Sequence, residues 1–409
     1  MPPRACPAHR IVLSTALIAL AGTPSVDAAP STATAESRSV DAETSERLEK
    51  RLNDMRRDRQ PESRFQPRFS GFLNAGVSHD TDATGYAAQD DETDVGLNSL
   101  VGLQGRFRLA DTTHVTLQAV ARGRDEWQPE VEWAMLSHAF GNGLAVRVGR
   151  LRVPLFMYSD YLEVGYAQPW ARPPQEVYGM VPISSFHGGD ILYDMDLAGG
   201  TLSLQGFAGA AEDDYRFTAD KDVDFELDNL WGGAVSWTND ALTLRVNAAQ
   251  ADVSMQEPAF RPPLSVDDPG WFAGVGARWD AGNWLLVGEL TRIEVDTSHY
   301  PNTDAGYLTA GYRFGPVVPY LTFAAVASRD DEARDGTPYR AFDLERRATT
   351  VGARWDVMPR VAIKAEVVRA DGLSGTWGGL GGNLESMLSR GRFAFGDATV
   401  ATLAVHAVF

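Results

Sequence analysis

The chain has 409 residues, 44% hydrophobic and 22% charged, with a mean hydropathy of −0.23 and a net charge of −18. Beyond the first thirty residues no apolar run approaches the ~18–20 residues of a spanning helix, which excludes a bundle of membrane helices. The acidity argues against nucleic acid as a partner.

Arg4, His9 and Arg10 precede a short apolar run, 11–21, and Val26-Asp27-Ala28 fits a small-x-small cleavage site. This is the pattern of an export signal peptide over residues 1–28. Cys6, the only cysteine, lies inside it, so the exported chain is expected to carry neither thiol nor disulfide. Losing Arg4, Arg10 and Asp27 with the leader makes the remainder one unit more negative than the −18 of the whole chain. Residues 29–67 are expected to be a disordered segment with one short helix over 45–59. There Leu48, Leu52 and Met55 fall at i, i+4 and i+7 behind Ser45 as a cap. About two heptads do not hold alone. A solvated helix, or a small coiled coil if three copies meet, are both open readings.

From Arg68 onward the period is two. In "VGLQGRFRL", Val101, Leu103, Phe107 and Leu109 share one face and Gln104, Arg106 and Arg108 the other. "HVTLQAVARGR", "LTLRVNA" and "VAIKAEV" repeat this alternation, the mark of strands with two different surroundings. The pattern predicts sixteen strands, near 68–79, 96–109, 114–124, 130–140, 144–153, 186–197, 201–211, 230–238, 242–251, 271–280, 284–295, 305–314, 317–328, 348–356, 361–369 and 400–409. Many have about the ten residues that a tilted strand needs to cross a bilayer.

The connections alternate as well. Even strands end in short turns such as "GNG" at 141–143, "AGG" at 198–200 and "AGN" at 281–283, and most odd strands in long polar loops, the connection near 125–129 excepted. Phe140, Trp237, Trp279, Trp284, Phe314 and Trp355 all sit beside the short turns, where an aromatic girdle would meet the interface. Lipid offers backbone groups no partner, so the sheet must close. The expected fold over 68–409 is therefore all-β, a 16-stranded antiparallel transmembrane β-barrel of the outer-membrane type with both termini in the periplasm.

An export leader, sixteen strands, a long irregular connection after the fifth strand and a terminal Phe409 resemble the Gram-negative trimeric porins, over Arg68 to Phe409. The resemblance implies a homotrimer in the outer membrane and recognition of Phe409 by the barrel-assembly machinery. The family's usual aromatic three places from the end is here Ala407. It also implies that the connection from Pro154 to about Ser185 folds inward as a constriction loop. Its composition suits that place: Pro169, Pro173 and Pro174 lower donor count and freedom, and Tyr158, Tyr161, Tyr166, Trp170 and Tyr178 can pack while keeping a polar tip wet. Asp160, Glu163, Arg172 and Glu176 would bring charge to the narrowest point. By the same resemblance Arg147, with Arg106 or Arg122, stands for the wall's arginine cluster, and Asp160 and Glu163 for its acidic partner.

Lumen parity collects Arg106, Arg108, Arg122, Arg124, Arg147, Arg245, Arg278, Arg313, Arg354 and Lys364 against Glu130, Glu132, Glu289 and Glu366. That excess of arginine predicts a mild anion preference. The facing of Arg150 and Arg152 is not fixed by parity. The outer loops 79–94, 212–228 and 328–335 are strongly acidic, suited to repelling anions or to bridging lipopolysaccharide through divalent cations. Asp220, Asp222 and Asp224 alternate but lack the glycine and terminal Glu of an EF-hand, so a hydrated loop precedes a calcium site as the reading.

No nucleophile elbow, zinc-protease or Walker motif is present, and "GGLGGN" at 378–383 lacks the strand–helix context of a dinucleotide turn. No enzyme and no cofactor are expected. The leading reading is a passive diffusion channel for small hydrophilic solutes. The alternatives are a channel selective for an anion or small organic acid, an adhesion or structural barrel with a plugged lumen, and an outer-membrane hydrolase.

Overall fold

The computed structural model describes residues 67–81, 86–88, 93–181, 183–218, 221–257, 264–297, 300–337, 339–340, 343–372 and 397–409. The leader, the 29–67 segment with its 45–59 helix, Asp220 and "GGLGGN" lie outside them, as do the side chains of Asp222 and Asp224.

Sixteen long strands follow in order: β1 (Pro67–Asp80), β2 (Leu100–Ala110), β3 (Thr113–Arg122), β4 (Pro129–Ala139), β5 (Leu144–Arg152), β6 (Ser185–Leu197), β7 (Gly200–Thr218) and β8 (Lys221–Thr238). The second half is β9 (Leu242–Glu257), β10 (Leu264–Ala281), β11 (Trp284–Val295), β12 (Thr303–Tyr312), β13 (Val317–Ser328), β14 (Glu345–Met358), β15 (Val361–Asp371) and β16 (Ala398–Val408). A two-residue strand, Thr93–Asp94, adds to the end of β1. Each strand pairs antiparallel with its neighbours, and β16 returns to β1 from Phe72↔Val408 to Asp80↔Val400. Gly71 and Phe409 exchange both backbone hydrogen bonds, 2.8 and 2.9 Å, so the last residue locks the seam. The closed ladder is what a sheet in lipid requires.

The outward face carries the apolar parity. Leu290, Leu308, Phe323, Val351 and Leu403 are 64, 57, 56, 61 and 51% exposed, while their chain neighbours on the other parity are buried or polar. Phe140, Trp279, Trp284, Phe314 and Trp355 are exposed at the short-turn rim, and Trp231 and Trp271 at the opposite one, giving two girdles. The short turns use backbone that glycine tolerates best: Gly141, Gly143, Gly199, Gly282 and Gly315 all have positive φ.

Two expectations need correction. The stretch 212–228, expected to be a loop, is the tip of a hairpin in which β7 and β8 stay paired as far as Thr218↔Lys221. β9 and β10 likewise stay paired to Glu257↔Leu264, through Pro269. Charge and proline masked the period of two: outside the membrane a strand can carry acids on both faces, and one missing N–H is tolerated. Secondly, β4 and β5 pair only from Ala134↔Arg150 to Ala139↔Ala145. Beyond that point β4 stays with β3 and β5 with β6. The wall opens there as a wedge bridged by side chains, described below.

Placing a cation in the outward belt tests this orientation. Leu290→Arg is expected to cost about 2–4 kcal/mol and Leu290→Ala much less. Refolding into lipid vesicles across a urea series would measure both, and equal midpoints would refute an outward, lipid-facing Leu290.

Candidate functional site

The connection from β5 to β6, residues 153–184, crosses the inside of the barrel. It contains only single helical turns, at Ser159–Tyr161, Gly165–Ala167 and Gln175–Tyr178. Most of its backbone groups therefore have no ladder, and side chains of the wall take that role. Arg245 and Asn247 of β9 donate to the Pro154 carbonyl at 2.9 and 3.3 Å, and Asn247 also to that of Leu155. Glu289 of β11 accepts the Met157 N–H at 2.9 Å and the Tyr178 hydroxyl at 2.8 Å. Glu366 of β15 accepts the N–H groups of Ala171 and Arg172 at 3.0 and 3.2 Å. Lys364, fully buried, donates to the carbonyls of Gly165, Gln168 and Trp170 at 2.6, 2.7 and 2.6 Å. Arg354 of β14 reaches the carbonyls of Tyr166 and Gln168 at 2.6 and 2.9 Å.

Aromatic packing completes the docking. Phe156 meets Tyr178 and Phe272 at 5.1 and 5.4 Å between ring centroids, and Trp170 meets Tyr158 and Tyr307 at 5.4 and 5.3 Å. The Trp170 N–H is shared by Thr309 and Thr322 at 2.9 and 3.1 Å. Burial, then the nearby Glu289, pushes the Tyr178 phenol well up, so it stays a neutral donor. Gly165 lies so close to the His406 ring that a Cβ there would run into it, while His406 Nδ1 and Asn74 Oδ1 stand 2.9 Å apart.

The expected site residues separate. Arg122 and Glu163 do meet: Arg122 Nε donates to Glu163 at 2.6 Å, and Arg122 also pairs with Glu130 and Glu132. Arg152, whose facing parity left undecided, joins this cluster on Glu163, with Glu132 at 3.5 Å. Ser184 donates to Glu132 at 3.1 Å. This network bridges the wedge between β4 and β5, beside a space of about 720 Å³ bordered by Glu130, Glu132, Arg150, Ser184 and His187. Arg147 stands apart from it, bidentate on buried Asp190 with one bond of 2.9 Å, and Gln205 adds a donor to the same carboxylate at 2.7 Å. Asp160 is half-buried, with Arg147 and Arg245 as electrostatic neighbours.

Arg106 is exposed on β2, in register with Arg68 and Thr116, away from the loop. Arg172 points back toward the β1–β2 connection, donating to the carbonyls of Ala87 and Leu97 at 2.7 and 3.3 Å. Burial, then Arg124 nearby, pushes its guanidinium down to about 10, which leaves it charged at neutral pH. Glu176 is buried and accepts from Arg346 at 2.9 Å and from Tyr86 at 3.1 Å. Arg172 and Glu176 thus fasten the loop instead of presenting free charge. Arg124, counted on lumen parity, belongs to a turn and is exposed. Arg150 stands 3.1 Å from His187.

Sequence reasoning missed Asp190, Arg346, Tyr86 and Asn74. Parity would have put Asp190 inside beside Leu192, but nothing in the sequence gives its partner. The metal reading of Asp220, Asp222 and Asp224 falls outside the described residues and side chains.

Comparison with known proteins agrees with this architecture. No curated protein matches the sequence. Among solved structures, the anion-selective porin from Comamonas acidovorans is similar with a TM-score of 0.55 at 18% identity, covering 84% of this chain and 100% of that one. OmpF of Salmonella typhi, in complex with daunomycin, gives a TM-score of 0.56 at 10% identity, covering 85 and 98%. OmpT of Vibrio cholerae in its trimer form gives 0.52 at 13% identity, covering 84 and 99%. At these identities the likeness shows the fold alone. The family model for Gram-negative porins matches residues 16–375, and the chain belongs to that family.

Proposed function

We propose that this outer-membrane channel passes small hydrophilic solutes by passive diffusion, as a homotrimer and with no catalytic step. The observation that carries this reading is the loop pinned across the lumen while polar groups of the interior stay wet. Arg106 is exposed, and the side chains of Arg278 and Arg313 are 40 and 34% exposed. On this reading residues 1–28 are the export leader, 29–67 is a periplasmic segment and 68–409 is the pore domain. Phe409, 62% exposed at the seam, is available to the assembly machinery. The acidic outer loops meet lipopolysaccharide.

The anion preference expected from counting arginines is not part of the proposal. Arg122, Arg147 and Arg152 face Glu130, Glu132, Glu163 and Asp190 at contact distance, and Asp160 adds a further acid. Paired charge in a narrow pore gives a local field with little net sign, and among the groups around Arg122, Arg147 and Arg152, unlike the lumen parity as a whole, the acids outnumber the bases.

Planar-bilayer recordings test both parts. In a potassium chloride gradient the reversal potential is expected on the cation side, and Asp160→Asn is expected to move it toward anions. A wild-type reversal on the anion side would sink the charge argument. Lys364→Met keeps an apolar stem but removes a donor from three carbonyls, of which Gly165 keeps the Gln168 N–H and Gln168 keeps Arg354, at a cost of about 2 kcal/mol in loop docking. Its single-channel current is expected to be larger and noisier than that of the wild type, and identical traces would show that the loop does not depend on this ammonium.

A further inference from the structure

The barrel interior departs from porin-like polarity on one sector, at the loop rim. At the level of the outer girdle marked by Trp231 and Trp271, and just beyond it, the inner face of β8–β11 is apolar. Ala251 and Val253 of β9, Phe272 of β10 and Ile293 and Val295 of β11 share the lumen parity with Arg245, Asn247 and Glu289 below them. Leu155 of the inner loop closes the lower side. Between them lies a cavity of about 70 Å³. Gln250 and Glu294 border it but belong to the alternate, outward parity of their strands. A space with apolar walls does not hold ordered water, which needs two or more polar partners. The wall therefore offers a solute an apolar resting place of a size suited to a branched alkyl end. On β10, Asp268 sits in register with Val253, on the same face and half-exposed. Asp268 stands two residues along the strand from Gly270, a cavity-lining position packed so closely that a Cβ there would meet Val253 at 2.7 Å, and so Asp268 neighbours the cavity without lining it.

We propose that this cavity and Asp268 form a capture site for small amphipathic ammonium compounds, with the apolar end in the cavity and the ammonium at the carboxylate. The inference rests on the channel reading and narrows it to a solute class. The acid excess around Arg122 and Arg147 acts in the same direction, since it does not oppose a cation that goes on through the pore.

The test uses the full-length protein in planar bilayers with two monocations of equal heavy-atom number, isopentylammonium and methoxypropylammonium. Isopentylammonium is expected to reduce the open-channel current at a roughly tenfold lower concentration, the effect of burying about two methylene equivalents. Ala251→Phe fills the cavity and is expected to bring the two concentrations together. Val253→Thr keeps the volume, adds a hydroxyl and is expected to narrow the difference even if the larger substitution fails to assemble. Asp268→Asn is expected to weaken both blocks equally. Equal blocking concentrations in a conducting wild-type channel overturn the proposal, and so does a difference that survives both cavity substitutions. A protein that never conducts potassium chloride removes the channel reading, and this inference with it.

Discussion

A chain segment laid inside a barrel keeps its peptide groups but has no strand beside it, and every other feature of the interior follows from how those groups are satisfied. Buried N–H and C=O groups are almost always paired, because leaving one bare costs about 1–3 kcal/mol. Here the loop's own tight turns pair many of them, and side chains of the wall take up further ones. Glu289 and Glu366 accept loop N–H groups, and Arg245, Asn247, Arg354 and Lys364 donate to loop carbonyls. The division follows the chemistry of the groups: a carboxylate has only acceptors and an ammonium only donors.

Lys364 shows how demanding this arrangement is. A buried ammonium without compensation is costly by several kcal/mol. Three carbonyl oxygens at 2.6–2.7 Å supply the compensation as partial charges from three peptides. The same bonds fix the carbonyls of Gly165, Gln168 and Trp170 toward one point, which needs a tight path for 165–170. Gly165 allows that path beside His406, and Pro169 limits the conformations between the pinned groups. The lysine is held by the loop as much as the loop is held by the lysine. Charges that parity assigns to the lumen therefore do two different kinds of work. Arg106 stays exposed and Arg278 pairs with Asp280, whereas Lys364, Glu366, Glu289 and Arg245 serve as substitutes for a neighbouring strand.

This division explains what was legible in the sequence. The period of two, the alternation of short turns with longer loops, and the aromatics beside the turns are local patterns, and the sixteen strands follow from them. Lumen parity is local too, so Arg122, Arg147, Lys364 and Glu366 were assigned to the right face. What a lumen side chain touches is not local. Arg147 meets Asp190 at a separation of 43 residues, Glu163 meets Arg122 at 41 and Glu366 meets Arg172 at 194. Composition cannot distinguish a free arginine from a paired one, so a count of arginines does not give the field in the lumen. The 212–228 hairpin was hidden for a related reason. Acids at consecutive positions look like a loop when one face is assumed to be apolar, and above the membrane neither face has to be.

The opening between β4 and β5 obeys the same constraint as the loop. Once the strands part above Ala134 and Arg150, each loses a row of ladder partners. In lipid such an edge would not survive. Here Arg152 leaves β5 toward Glu163 and Glu132, Ser184 closes on Glu132 from the far end of the loop, and Arg122 joins from β3. The wedge and the loop need each other. Inward folding of 153–184 takes the chain out of the wall at Arg152, and the wall's missing contacts are replaced by charges that grip the loop at Glu163. An ion cluster in that position couples the shape of the wall to the position of the loop. Removing one member would leave the rest with unequal charge in a buried place, which is the most costly way to lose such a cluster. The same side chains thus tie the parted strands together and hold the loop inside the barrel.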